Sequence, residues 1–196
     1  MTTEYEATFR NIDKDDIRTK LKAAGATLIK PEFMQKRAVF YMPEGHEIPG
    51  GWLRVRDEGD QITMSLKVVV DGRIEDQKEI MFKVDDFDEA KEFLTLLGCK
   101  YKAYQESKRE LWKLDGAEVT IDEWPFLEPY VEVEAHSEQE VQSVSGKLGF
   151  DYSKAIFSAV DYLYHLEYGI DKSVVNATPK IVFDMENPFS NLNPQK

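Results

Sequence analysis

Apolar and polar residues alternate one for one in several short runs, the period of a strand with one face covered. The first run is Glu4-Tyr5-Glu6-Ala7-Thr8-Phe9, which puts Glu4, Glu6 and Thr8 on one face and Tyr5, Ala7 and Phe9 on the other. Trp52-Leu53-Arg54-Val55-Arg56 and Thr63-Met64-Ser65-Leu66-Lys67-Val68 repeat it, joined by a hairpin through Glu58-Gly59-Asp60. Strand-like runs at 35–41, 78–84, 109–114, 118–122 and 131–134 bring the expected strands to about eight, with turns at Asp71-Gly72 and Asp115-Gly116. Helical spacing governs Ile17, Leu21 and Ala24 after a capping Asp13, and Ala90, Phe93, Leu94 and Leu97 between Asp86 and Gly98. A third helix follows the capping box of Ser137 and Glu140, and a longer one runs from about Ser153 to Tyr168 with Ile156, Val160, Leu163 and Tyr164 inward.

The pattern occurs twice. Glu6 to Gly25 and Glu79 to Gly98 each span strand, helix and terminating glycine, and each unit then reaches a Lys-Arg pair, Lys36-Arg37 or Lys108-Arg109. Two copies indicate two related halves rather than a solenoid. The polar strand faces collect Glu4, Glu6, Glu79, Asp122, Glu132 and Glu134 with Arg37, Arg54, Arg56, Lys67 and Arg109. A solvated antiparallel sheet accommodates such a mixture. Segregation of acids and bases by strand argues instead for enclosure, since about eight strands suffice to close a sheet around one ligand. Both readings give an α+β fold over residues 1–170, an antiparallel sheet of about eight strands with flanking helices, either open with one solvated face or closed into a barrel. Residues 171–196, poor in apolar side chains, form a C-terminal extension or tail in which Ile181-Val182-Phe183 is the segment expected to dock.

Composition narrows the chemistry. A net charge of −12 over 196 residues argues against nucleic acid or an acidic membrane surface as partner. No apolar run resembles a signal peptide or spans a bilayer, so a cytoplasmic location is expected. The lone Cys99 excludes an intrachain disulfide and a cysteine-built zinc site, so any metal is held mainly by oxygen. None of His46, His136 and His165 has a spaced partner, and no Gly-rich phosphate loop is present. Carboxylates suit Mg²⁺ or Mn²⁺, while arginines and lysines suit a chain of phosphates.

Glu4-Tyr5-Glu6, Leu53-Arg54-Val55-Arg56, Ser65-Leu66-Lys67, Lys108-Arg109, Ile121-Asp122 and Val131-Glu132-Val133-Glu134 occur in the order that resembles the CYTH family of triphosphate tunnel metalloenzymes. That resemblance implies an eight-stranded antiparallel closed β-barrel with flanking helices, a triphosphate tunnel in which Glu4, Glu6, Asp122, Glu132 and Glu134 bind Mg²⁺ or Mn²⁺. Arg54, Arg56, Lys67 and Arg109 would hold the substrate, with Arg37 and Glu79 assigned to it subject to strand register. Substrates of the class are tripolyphosphate, thiamine triphosphate and ATP. Hydrolysis is the leading expectation, with class IV adenylate cyclase activity or a non-catalytic triphosphate-binding module as alternatives, in a monomer or homodimer. One position departs: the signature Glu-x-Glu-x-Lys ends here in Thr8, removing a cation expected beside the substrate.

Overall fold

The computed structural model describes residues 1–70 and 72–192; the turn position Asp71 and the last four residues of the tail lie outside the described residues. The strands are β1 (Thr2–Thr3), β2 (Tyr5–Phe9), β3 (Thr27–Phe40), β4 (Gly51–Asp57), β5 (Ile62–Val69), β6 (Gln77–Val84), β7 (Tyr101–Leu114), β8 (Ala117–Glu123), β9 (Tyr130–Ala135) and β10 (Lys180–Ile181). Five helices join them: α1 (Lys14–Ala23), α2 (Phe87–Leu96), α3 (Glu138–Lys147), α4 (Val160–Tyr168) and α5 (Lys172–Ala177). The sheet runs β1-β6-β5-β4-β3-β7-β8-β9-β2, and all pairs on this path are antiparallel. Its two ends, β1 and β2, flank the single residue Glu4, whose N–H donates to the Gln77 carbonyl at 2.9 Å. They are two pieces of one N-terminal strand, so nine named strands make eight staves of a nearly closed barrel, as expected.

The repeat is structural. α1 and α2 are each ten residues long, capped by Asp13 and Asp86, whose carboxylates accept backbone N–H groups of the first turn. Gly25 and Gly98 end the two helices at φ +82° and +86°, a conformation that side chains resist. Each helix then feeds a fourteen-residue strand, and these strands, β3 and β7, pair with one another.

Outside the barrel, α1 and α3 pack Ile17, Leu21, Val141, Val144 and Leu148 against Val119, Ile121, Val131 and Val133 of β8 and β9. α2 covers a smaller cluster with Ala90 and Leu94 on Ala38, Phe40 and Val55. The apolar strand faces therefore look outward and the polar faces inward.

Three expectations need correction. β3 does not start beyond Pro31 but at Thr27, and its pairing with β7 shifts register just before the proline and again across it, where no N–H is available to the ladder. The long final helix does not begin at Ser153. A 3₁₀ turn covers Tyr152–Lys154, and Ile156 is extended, exchanging backbone hydrogen bonds of 3.0 Å with Thr8, before α4 starts at Val160. The third is β7, which begins at Tyr101 rather than 109. The C-terminal stretch docks at Ile181 and Val182 as expected, and Val175 and Phe189 are buried too; β10 runs parallel to the edge of β7 that β8 leaves open.

Candidate functional site

A cavity of about 710 Å³ fills the barrel. One wall is basic. β4 contributes Arg54 and Arg56, β3 contributes Arg37, β5 contributes Lys67 and β7 contributes Arg109. Arg37 and Arg56 sit directly opposite in the β3–β4 ladder, an arrangement of like charges that destabilises a sheet unless an anion intervenes. Arg37 donates to Gln35 Oε1 (2.7 Å) and Ser107 Oγ, and its guanidinium lies 4.3 Å from the Trp124 ring centroid. Burial, and then Arg54, Arg56 and Arg109, hold the Arg37 pKa well below the usual arginine range. Burial and Arg54 pull Arg56 down to about 10, still charged at neutrality. Arg54 donates to Glu79 Oε1 at 2.8 Å, and Arg56 Nε stands 2.6 Å from Glu58 Oε1. The Nε–H groups of Arg37 and Arg54 are buried and, among the described residues, find no acceptor.

The other wall is acidic, built from Glu4 and Glu6 on the N-terminal strand, Glu118 on β8 and Glu132 and Glu134 on β9. Glu134 lies opposite Glu6 on one side and Glu118 on the other. Lys67 Nζ reaches across to Glu4 Oε2 (3.1 Å) and Glu6 Oε1 (3.7 Å). Burial, with Glu6 and Asp122 nearby, raises Glu132 to about 8; burial and Glu6 raise Glu134 to about 7. Burial also raises Glu4 to about 8 against the pull of Lys67, with Glu79 and Glu6 adding to the rise. Glu79 goes the other way: burial would raise it, but Arg54 and its other neighbours bring it to about 2.

The expected site residues Glu4, Glu6, Arg37, Arg54, Arg56, Lys67, Glu79, Arg109, Glu132 and Glu134 all line this cavity. Arg37 faces inward while Lys36 is exposed, which fixes the register of β3. Asp122 is on the same strand face but lies beneath Arg109. Its carboxylate takes both Arg109 Nε (2.7 Å) and Nη2 (2.9 Å) as well as Thr120 Oγ1 (2.6 Å), and its side chain is 1% exposed. Arg109 also donates to Glu132 Oε2 at 2.6 Å, so burial is outweighed and its pKa rises well above normal. Thr8 is buried opposite Glu132 and sealed by the Ile156 bridge. His46, His136 and His165 do not line the cavity.

Glu118, Gln35, Ser107 and Lys102 were not anticipated. Glu118 shares its strand face with Thr120 and Asp122, so the alternation already carried the signal. Lys102 turns inward because the β3–β7 ladder skips a residue between Val39–Ala103 and Phe40–Tyr101, inverting the alternation there. The crowded carboxylates fit a hard divalent cation by donor chemistry. As the side chains stand, Glu4 and Glu6 are paired with Lys67 and Glu132 with Arg109. Among the described residues no three Asp, Glu, His or Cys side chains form a ready ligand set.

A barrel lined by one acidic and one basic wall is the arrangement that the sequence motifs implied, and the model of the CYTH domain matches residues 2–163. The chain belongs to the CYTH domain family. Solved structures share this CYTH fold at low identity. A conserved hypothetical protein of Pyrococcus furiosus has 22% identity and a TM-score of 0.68, covering 82% of this chain and 99% of that one. A proposed adenylate cyclase of Vibrio parahaemolyticus has 11% identity and a TM-score of 0.72, covering 83% and 98%. A proposed adenylyl cyclase of Hippeastrum with a dominant triphosphatase activity has 13% identity and a TM-score of 0.56, covering 85% and 96%. No curated protein matches the sequence. No helix among the described residues is long and apolar enough to cross a membrane.

Proposed function

We propose that this CYTH protein hydrolyses a triphosphate inside the barrel with the help of Mg²⁺ or Mn²⁺. The observation that carries the reading is the basic wall. Four arginines crowd one buried cavity, Arg37 is depressed by burial and then by the other three, and among the described residues two buried Nε–H donors lack acceptors. A polyanion relieves all three conditions at once. Arg37, Arg54, Arg56, Lys67 and Arg109 bind the phosphate chain, and Asp122 with Thr120 holds Arg109 in place. Glu4, Glu6, Glu132 and Glu134 would hold the cation. When bound, that cation supplies further neutralisation of phosphate charge. Catalysis is then mainly positioning of a water in line with the terminal phosphorus and electrostatic stabilisation.

A second reading, cyclisation of ATP to cyclic AMP and pyrophosphate, draws on a different observation. The cavity extends past the bases into a stretch lined by Val39, Tyr41, Trp52, Val69, Val160 and Val175, and its volume is that of a pocket for an organic ligand. The test is incubation of purified protein with Mg²⁺ or Mn²⁺ and tripolyphosphate, thiamine triphosphate or ATP, with assay of phosphate, pyrophosphate and cyclic AMP. Phosphate release supports hydrolysis, and cyclic AMP with pyrophosphate the second reading. Thermal stabilisation by ligand without product would make the barrel a binding module. Neither stabilisation nor turnover would sink the proposal.

A further inference from the structure

The strand β6 is the least sheltered in the barrel. Ile80, Met81 and Phe82 are 49%, 51% and 50% exposed, three consecutive large apolar residues in a chain of net charge −12. Ile80 and Phe82 lie on the outer face against Leu66 and Met64 of β5, making one apolar block. The equivalent outer faces of β8 and β9 are covered by α1 and α3, but α2 sits over β3 and β4, reaches only Met64 and Val84 at the margin of this block, and leaves Leu66, Ile80 and Phe82 outside its cluster. β6 also has an unfilled edge. β1 reaches only Lys78 and Glu79, so among the described residues 80–84 have no strand on that side. The carbonyls of Gln77 and Glu79 accept from Glu4 N–H and Thr2 Oγ1 across that edge. Strand periodicity makes Met81 and Lys83 the next residues to present backbone groups there. An exposed apolar strand with an open edge is a template for pairing.

We propose that the edge of β6 pairs with β6 of a second copy of this chain, antiparallel, about a twofold axis through Phe82. This register sets Met81 opposite Lys83 twice over, so the residues with free backbone groups exchange hydrogen bonds. Phe82 meets Phe82 of the second copy and Ile80 meets Val84, with the ladder ending where β1 covers Lys78 and Glu79. A twofold through Met81 would set Lys83 against Glu79, whose carbonyl is already taken by Thr2. A strand edge is self-complementary only under such a twofold, which favours a second copy over an unrelated partner.

The test is the mass of the full chain by light scattering over a wide concentration range, with two variants. Phe82→Lys puts two cations face to face at the axis and is expected to give monomer with an unchanged melt. Phe82→Cys places two thiols at a non-hydrogen-bonded pair, where Cα atoms are about 4.5 Å apart and a disulfide closes. It is expected to cross-link under mild oxidation much faster than Leu96→Cys on exposed α2; the native Cys99 is buried and does not compete. A wild-type monomer at every concentration overturns the proposal. So does a dimer that survives Phe82→Lys, or Phe82→Cys cross-linking no faster than the α2 control.

Discussion

The two walls of the cavity are charged in opposite ways and carry their charge differently. On the basic wall the guanidinium groups stay charged despite burial, since arginine scarcely titrates, and the strain appears as crowding and donors without acceptors. On the acidic wall the carboxyls yield instead: Glu4, Glu132 and Glu134 hold protons up to about pH 7 or 8. Among the described residues, only Lys67 and Arg109 cross between them. If bases and acids cancelled, neither sign of strain would remain, so each wall is built for something beyond the other: an anion for one, a cation for the other.

The sharpest way to break the comparison is to thin the basic wall. Arg56→Ala should lower turnover about a hundredfold or more in a protein that still folds, the scale of losing one charge-stabilising donor; an unchanged rate would remove Arg56 from the site. Thr8→Lys tests the seal beside the acids. With Ile156 bridged over this buried position, the substitution should cost about 1–3 kcal/mol in denaturant unfolding. A variant as stable as wild type and faster would mean the seal yields and a cation there is useful.

Gentler tests read the acids. Their ionisation occurs near 4.5 in the unfolded chain and near 7 to 8 in the fold, so the unfolded state sheds these protons first as pH rises. Their contribution to stability is full below about pH 4.5 and lost by pH 8. Glu79, near 2, stays ionised throughout that window. Thermal melts in chelator from pH 5 to 9 should therefore show a decline to about pH 8, which a divalent cation with tripolyphosphate flattens. A rise in Tm over that range would contradict the acidic wall as described. Smallest of all, Glu134→Gln should raise the metal-free Tm by about 2–4 °C at pH 8 and leave it unchanged at pH 5.

Much of this was legible in the chain. Strict alternation set the inward face of β2, β4, β5, β8 and β9, because a covered face tolerates no slip of one residue. The helix caps at Asp13 and Asp86 were legible because they act within one turn. What escaped depends on pairing between distant segments. Lys102 turns inward at a bulge that exists only when β7 meets β3. Ile156 leaves its helical pattern because Thr8 offers it a backbone partner. Strand face and motif group Asp122 with the metal-site acids, and only the approach of Arg109 shows both its oxygens hydrogen-bonded.

The divided N-terminal strand has a consequence for synthesis. Tyr5 pairs with Ala135, so this strand waits for one made 130 positions later before the barrel can close. Until then the inner charges face water and the outer apolar faces lack part of their cover. Closure is a late, long-range event, of the kind that makes β-rich chains slow to fold and exposed to misassembly.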